Sequence, residues 1–205
     1  MNKPNIPNKE RRSVAMEIRM DGMGEGETPM MRGHAAVFNS ASELLAGCFR
    51  EIIKPGAFTE ALKGSDVRAL FNHNPDLILG RTSSGTLRVA EDETGLSIEI
   101  DPPDTTCGRD LQVSMNRGDI KEMSFAFMVA EEGDEWTRDP DESGNWTRTI
   151  SKFERIYDVS PVTYPAYPET DCAVRSLDTI RAKDVPPPQD DNFMRRLRLN
   201  LEAAL

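Results

Sequence analysis

Residues 67–81 have the sequence VRALFNHNPDLILGR. The apolar run from Val67 to Phe71 predicts a buried strand, and the Asn-His-Asn-Pro that follows predicts a tight turn. His73 lies in this turn and is one of only two histidines in the chain, so general-base chemistry near neutral pH has few possible positions. By pattern alone, a single histidine at a strand end indicates an ordinary hydrogen-bonded residue. The other segments must therefore show whether His73 has a chemical role.

Composition and charge exclude several classes of protein. The 205 residues are enough for one domain with tails or two very small domains, and the 38% apolar content is too low for a membrane protein. The first residues lack the apolar stretch of a signal peptide, so we expect use in a cytosol. A net charge of −10 argues against a general nucleic-acid binder. The three cysteines lack metal-ligand spacing, so we expect no zinc site and no disulfide framework. The sequence has no phosphate-binding glycine loop of the P-loop type, and we expect no cofactor.

Alternating apolar residues predict a fold built mainly from short strands with two helices. One predicted strand, over residues 119–130, places Ser124 on the face opposite Phe125 and Phe127. Prolines at 161, 165 and 168 predict an extended path along a sheet edge, since proline cannot donate to a central ladder. The predicted strands lie at 14–20, 31–39, 67–71, 86–90, 96–100, 119–130 and 147–160, and the predicted helices at 55–64 and 104–117, the second capped by Asp104. This pattern indicates an α+β, β-rich barrel or curled sheet with peripheral helices.

The ends of the chain differ in composition from its middle. Residues 1–12 are polar and predict a disordered segment, followed by a core domain over 13–176. Residues 177–191 predict a proline-rich linker. Residues 192–205 have apolar side chains at helical spacing and predict a short amphipathic helix. Between residues 131 and 146 a run of acidic residues predicts a mobile hairpin tip.

Three side chains can supply the parts of a serine protease site. Hydrolysis by serine needs a hydroxyl nucleophile, a base in contact with it, and a group that orients the base. Ser124, His73 and Asp158 can supply these from three different strands, although a serine within an apolar strand is usually a packing residue. Cys107 near a helix N-terminus leaves a cysteine mechanism open, although a buried structural thiol is the commoner case. A metal hydrolase would need more histidines or a tighter carboxylate cluster.

A set of short motifs resembles the prohead proteases of tailed bacteriophages, serine peptidases that are distantly similar to herpesvirus assemblins. Each motif is weak alone, but all occur in family order between about residues 16 and 175. The matching segments are Gly33–Asn39, Pro55–Phe58, Val67–Asn74, Leu79–Arg81, Ser84–Leu87, Asp92–Leu96, Arg117–Ile120, Met123–Phe127 and Asp158–Tyr167.

The resemblance implies roles for individual residues. It implies that His73, in an Asn-His motif, is the general base and that Ser124, in a Ser-Phe-x-Phe motif, is the nucleophile. Asp158 stands where the phage family has an acidic residue before Val-Ser, which implies the orienting role. Glu154 and Glu122 are the next acids to consider. The resemblance also implies an assemblin-like, closed or partly open barrel with flexible termini.

The resemblance further implies a function and its partners. Such proteases act inside the procapsid, in the host cytoplasm. They cleave the scaffolding region of the major capsid protein and often themselves, so self-association is a further expectation. No nucleic-acid or membrane partner is expected. A catalytically inactive scaffolding or capsid-assembly protein with the same fold is the alternative, and a cysteine- or metal-dependent hydrolase is a third hypothesis.

Overall fold

Strands make up most of the described part of the chain, as the alternating pattern predicts. The computed structural model describes residues 9–14, 18–22, 29–45, 49–139 and 145–164. The elements in chain order are β1 (Glu10–Val14), β2 (Arg19–Asp21), β3 (Met30–Val37), β4 (Phe49–Ile53), α1 (Thr59–Gly64), β5 (Arg68–Phe71), β6 (Asn74–Arg81), β7 (Leu87–Glu91), β8 (Gly95–Ile100), α2 (Thr106–Asn116), β9 (Glu122–Val129), β10 (Asp134–Arg138), β11 (Trp146–Ile150) and β12 (Phe153–Val162).

The strands of the described ranges form three sheets. The largest, which we call the site sheet, has five strands in the order β1-β9-β12-β5-β6. A four-stranded sheet has the order β2-β3-β8-β7, and a three-stranded sheet has the order β10-β11-β4. The β-rich prediction is confirmed. The predicted barrel is not: over the described residues the site sheet ends in two edge strands, β1 and β6, and does not close on itself.

An aromatic cluster packs against one face of the site sheet. Phe58, just before α1, stacks on Phe153 with ring centroids 4.5 Å apart. Phe125 and Phe127 of β9 stack at 4.8 Å, and Phe127 meets Phe153 edge-on at 4.9 Å. All four rings are buried. Because successive side chains of a strand point to opposite faces, this packing places Ser124 on the other face, as predicted.

Helix bounds differ from the sequence predictions at their N-terminal ends. The segment predicted as one helix from residue 55 forms a turn first, and α1 begins at Thr59. The cap predicted at Asp104 is wrong, since the Thr105 hydroxyl accepts the hydrogen bond from the Gly108 N–H at 3.2 Å. Asp104 pairs with Arg109. At the other end of α2, Gly118 stops the helix at φ +80°, as expected.

The prediction that the prolines confine the last strand to an edge is wrong for Pro161. β12 contains Pro161 and lies in the centre of the site sheet, between β9 and β5. The Pro161 carbonyl accepts from the Asn72 N–H at 3.0 Å, on the β5 side. The N–H and C=O of a strand residue point to the same side, so the missing N–H also faces β5. The β12–β5 pairing has already ended at Val159, and no ladder bond is lost there.

β1 is a strand where the sequence predicts disorder. Residues 10–12 pair antiparallel with β9, and the buried side chains of Glu10 and Arg12 are both charged. They join what we call the ionic cluster, which bridges the site sheet and the three-stranded sheet. Its members are Glu10, Arg12, Glu51, Asp134 and Arg148.

Several predicted segments lie partly or wholly outside the residues that the structure describes. Residues 15–17 of the strand predicted at 14–20 lie outside the described residues, as do the linker at 177–191 and the amphipathic helix at 192–205. The acidic segment at 131–146 forms β10, which pairs with the following strand β11, and residues 140–144 between them lie outside the described residues. Neither α1 nor α2, the α-helices of the described part, is long and apolar enough to cross a membrane.

Candidate active site

A two-residue turn between β5 and β6 presents His73. Phe71 pairs with Asn74, and the two residues between them both have positive φ, +54° for Asn72 and +55° for His73. This is the type I′ arrangement, which matches the twist of a hairpin. Asparagine tolerates it well, whereas a left-handed histidine costs about 1 kcal/mol. The neighbouring structure must therefore hold His73 in place.

Asn72 connects this turn to the end of β12 by three hydrogen bonds. Its N–H donates to the Pro161 carbonyl at 3.0 Å. Its side-chain Nδ2 donates to Thr163 Oγ1 at 3.0 Å, and its Oδ1 accepts from the Thr163 N–H at 2.9 Å. These bonds fix the turn beside the last residues of β12. His73 is thereby held over the site sheet.

Register places Ser124 and Asp158 on the same face of two adjacent strands. Ser160 of β12 pairs with Ser124 of β9, and Asp158 pairs with Ala126. Residues two apart on a strand share a face, so Asp158, Ser160 and Ser124 all point away from the aromatic cluster. Ser124 and Asp158 are diagonal neighbours across the ladder, a spacing that one imidazole ring can bridge.

His73 bridges the two side chains. Its Nδ1 is in hydrogen-bond contact with Asp158 Oδ1, and its Nε2 lies 2.7 Å from Ser124 Oγ. A carboxylate accepts hydrogen bonds, so the network assigns the proton to Nδ1. In the neutral ring Nε2 is then an acceptor that faces the serine hydroxyl. The structure thus brings together the three residues singled out in the sequence.

The Asp158 carboxylate has two further partners. Ser160 Oγ donates to Oδ1 at 3.1 Å, and the Lys9 ammonium lies 3.1 Å from Oδ2. Burial raises the pKa of Asp158, but the hydrogen bond and charge of His73, together with the Lys9 ammonium, outweigh burial and hold that pKa below its usual value. Asp158 is therefore a carboxylate at neutral pH and can support a positive charge on the ring.

Ser124 has a second hydrogen-bond partner besides His73. Its Oγ also donates to the backbone carbonyl of Arg12 in β1, at 2.9 Å. Ser124 is fully buried, with 0% exposure, and the His73 side chain is 7% exposed. The site is therefore closed to bulk water in this arrangement.

The other nucleophile and metal candidates find no support in the described residues. Burial and the nearby Asp110 carboxylate raise the pKa of the Cys107 thiol, which disfavours a thiolate nucleophile. Glu154 is exposed on β12, while Asp158 fills the place beside His73. Within the described ranges, no group of three or more His, Cys, Asp or Glu side chains is arranged to hold a metal ion. The other histidine, His34, pairs with Asp92 at 2.7 Å, on a different sheet.

Sequence reasoning missed four residues at this site. Strand alternation from Asp158 could have indicated Ser160, and the turn pattern could have indicated Asn72. Lys9 and Arg12 carried no such signal, since they lie in the segment predicted to be disordered.

A family model and a curated relative agree with the resemblance. A family described as caudovirus prohead serine protease matches residues 14–183. The prohead protease of Enterobacteria phage HK97 is 31% identical over 169 residues, covering 80% of this chain and 68% of that protein. The capsid assembly protease gp21 of bacteriophage T4 superposes with a TM-score of 0.45 and 11% identity, over 75% of this chain and 98% of that one.

Proposed function

The chain belongs to the caudovirus prohead serine proteases, and from this premise we propose that it is an endopeptidase with Ser124 as nucleophile, His73 as general base and Asp158 as the residue that orients the base. The observation that carries the assignment is the continuous contact from Asp158 through His73 to Ser124 Oγ. The chain order His-Ser-Asp differs from the familiar triad orders, but a triad is defined by geometry and role.

The geometry supports a two-step acyl transfer. Ser124 Oγ attacks the scissile carbonyl carbon while His73 Nε2 takes the hydroxyl proton. The buried Asp158 carboxylate then stabilises the imidazolium through Nδ1. His73 gives the proton to the departing amine, which leaves Ser124 as an ester. A water molecule, deprotonated by the same Nε2, hydrolyses the ester and restores the hydroxyl.

The proposed substrate is the scaffolding region of the major capsid protein, and self-cleavage is part of the same proposal. Family membership supports this assignment, because the matched family and the phage HK97 relative are both described as prohead proteases. The proposed place of action is the procapsid, inside the host cytoplasm. Self-association and docking of the C-terminal tail on capsid or scaffold belong to the same hypothesis.

Replacement of the nucleophile tests the proposal directly. We expect Ser124→Ala to reduce cleavage of the co-expressed capsid protein at least a thousandfold, since residual catalysis without the nucleophile is small. The matched control is Ser97→Ala, which removes a hydroxyl bonded to the Ala90 carbonyl on the four-stranded sheet. Cleavage is followed by gel electrophoresis and folding by circular dichroism. Undiminished cleavage by folded Ser124→Ala would exclude the serine mechanism. Absence of cleavage by the wild type would support an inactive assembly protein.

A further inference from the structure

The N-terminal strand contacts two of the three proposed catalytic residues. The Arg12 carbonyl of β1 accepts from Ser124 Oγ at 2.9 Å, and the Lys9 ammonium, just before β1, lies 3.1 Å from Asp158 Oδ2. Ser13 is the β1 residue paired with Ser124. β1 therefore occupies the edge of β9 directly beside the nucleophile.

The Arg12 carbonyl and His73 Nε2 are two acceptors for the single proton of the Ser124 hydroxyl. Ser124 has one hydroxyl proton, while both Arg12 O and His73 Nε2 lie within hydrogen-bond distance of Oγ. If the proton points to Arg12, Nε2 is not engaged with it and the hydroxyl is not activated. The carbonyl thus favours an unreactive arrangement.

The way in which β1 is anchored allows it to be released. Among the β1 side chains that the structure describes, Glu10 and Arg12 are buried, and both are charged members of the ionic cluster. Buried ion pairs contribute little net stability, because the charges regain their hydration when they return to water. Glu10 and Arg12 leave as a neutral pair. Arg148 remains bound to Glu51 and Asp134, so no charge is left without a partner.

We propose that β1 is an autoinhibitory latch: in the resting state its Arg12 carbonyl holds the Ser124 hydroxyl, and the strand must leave β9 before the protease can act. This proposal rests on the proposed catalytic role of Ser124. It predicts that weakening the ionic cluster speeds the reaction of Ser124, and that fixing β1 to β9 slows it. If β1 were instead a permanent part of the active site, both effects would have the opposite sign or be absent.

A fluorophosphonate measures the reactivity of Ser124 without any capsid substrate. Ser124 Oγ forms a bond to phosphorus, fluoride leaves, and His73 takes the hydroxyl proton, so the labelled protein gains a fixed mass. We expect Glu10→Gln to react at least threefold faster than the full-length wild type. The matched control is Glu60→Gln, which removes an exposed carboxylate paired with Lys63 on α1 and should react at the wild-type rate. A folded Glu10→Gln protein that reacts no faster overturns the latch.

A reversible crosslink tests the opposite direction. Arg11 and Ala126 are directly opposite each other in the β1–β9 ladder. The Cβ atoms of such partners are generally close enough for a disulfide after small adjustments. We expect the oxidised Arg11→Cys/Ala126→Cys protein to react at least tenfold more slowly than the same protein after reduction. The single-cysteine variants, oxidised and reduced in the same way, are the controls. Equal rates for the oxidised and reduced double variant overturn the latch.

Amide hydrogen exchange separates failure of the latch from failure of the catalytic assignment. A latch that opens requires the β1 amides of the wild type to exchange much faster than those of central β12. Exchange of β1 as slow as that of β12 overturns the latch whatever the chemistry. Fast exchange of β1, with no labelling of Ser124 in any variant, overturns the proposed nucleophile and with it the inhibitory role of β1.

Discussion

The site sheet is held on its two sides by different kinds of interaction. On the face opposite Ser124, Phe58, Phe125, Phe127 and Phe153 pack ring against ring. At the β1 edge, the ionic cluster joins the sheet to β4, β10 and β11. The two regions touch where the Arg12 guanidinium lies 5.5 Å from the Phe127 ring centre. Apolar burial is favourable at every pH, whereas paired charges lose their attraction once one partner is neutralised.

The difference indicates which part of the site is permanent. His73, Ser124 and Asp158 are carried by strands that the aromatic cluster supports or by the turn fixed to β12. Arg12 lies in β1 and Lys9 just before it, and the described buried side chains of β1, Glu10 and Arg12, are charged. His73, Ser124 and Asp158 should therefore stay assembled under conditions that release β1. The predictions below test this contrast, from the largest expected effect to the smallest.

Removal of one ring from the aromatic cluster should have the largest effect. Phe153 is 1% exposed and contacts Phe58, Phe125 and Phe127. We expect Phe153→Ala to lower the free energy of unfolding by about 4 kcal/mol, because it removes buried apolar area and leaves a cavity. Urea denaturation measures the loss. If Phe153→Ala lost less unfolding free energy than Arg148→Met, the ionic cluster would stabilise the sheet more than the aromatic cluster does.

Removal of the central cation of the ionic cluster should have the next largest effect. Arg148 is 3% exposed and contacts the carboxylates of Glu10, Glu51 and Asp134. Arg148→Met leaves buried carboxylates with too few partners, and we expect a loss of about 3 kcal/mol in the free energy of unfolding. The control is Arg88→Met, on an exposed pair with Asp101, which should cost about 0.5 kcal/mol. Equal losses for the two variants would show that the cluster does not anchor the sheet.

Ser160 tests the permanent part of the site without altering the latch. Its hydroxyl donates to Asp158 Oδ1, the same oxygen that contacts His73. We expect Ser160→Ala to lower kcat about tenfold, or about 1.4 kcal/mol, with KM unchanged, since the acid is less firmly oriented. Ser97→Ala serves again as the control. A rise in KM at constant kcat would contradict a positioning role.

The smallest expected effect is that of Glu10→Gln on how the free energy of unfolding depends on pH. Burial raises the pKa of Glu10, but Arg148 and Arg12 outweigh burial and hold that pKa below its usual value of 4.5. A carboxylate with a lowered folded-state pKa stabilises the protein above its unfolded-state pKa, and that contribution is lost as pH falls through the folded-state value. We therefore expect Glu10→Gln to lose less stability than the wild type between pH 7 and pH 4. Urea denaturation at the two pH values measures this difference. Phe153→Ala should lose as much as the wild type, and identical losses in all three proteins would contradict the assignment to Glu10.

Local pattern determined a large part of the fold and of the candidate site. Alternation in β9 is sufficient to place Ser124 opposite Phe125 and Phe127, because side-chain direction repeats every two residues. The turn at Asn72 and His73 follows from local backbone preferences. Pattern failed for β1, because Glu10 and Arg12 are buried there and composition predicts that charged residues are solvated. It failed for Pro161, because only the neighbouring strands determine on which side of β12 a backbone N–H has no partner in the sheet.

By itself, therefore, the sequence determined the strands β3, β5, β7, β8 and β9, the face on which Ser124 lies and the turn that carries His73, since these depend on residues close together in the chain. Only the tertiary structure decided that Ser124 and Asp158, which lie 51 and 85 residues from His73, meet its two ring nitrogens. It also decided that the Arg12 carbonyl, 112 residues before Ser124, competes for the same hydroxyl proton. Such contacts depend on strand order and register across distant segments, and no local periodicity encodes them.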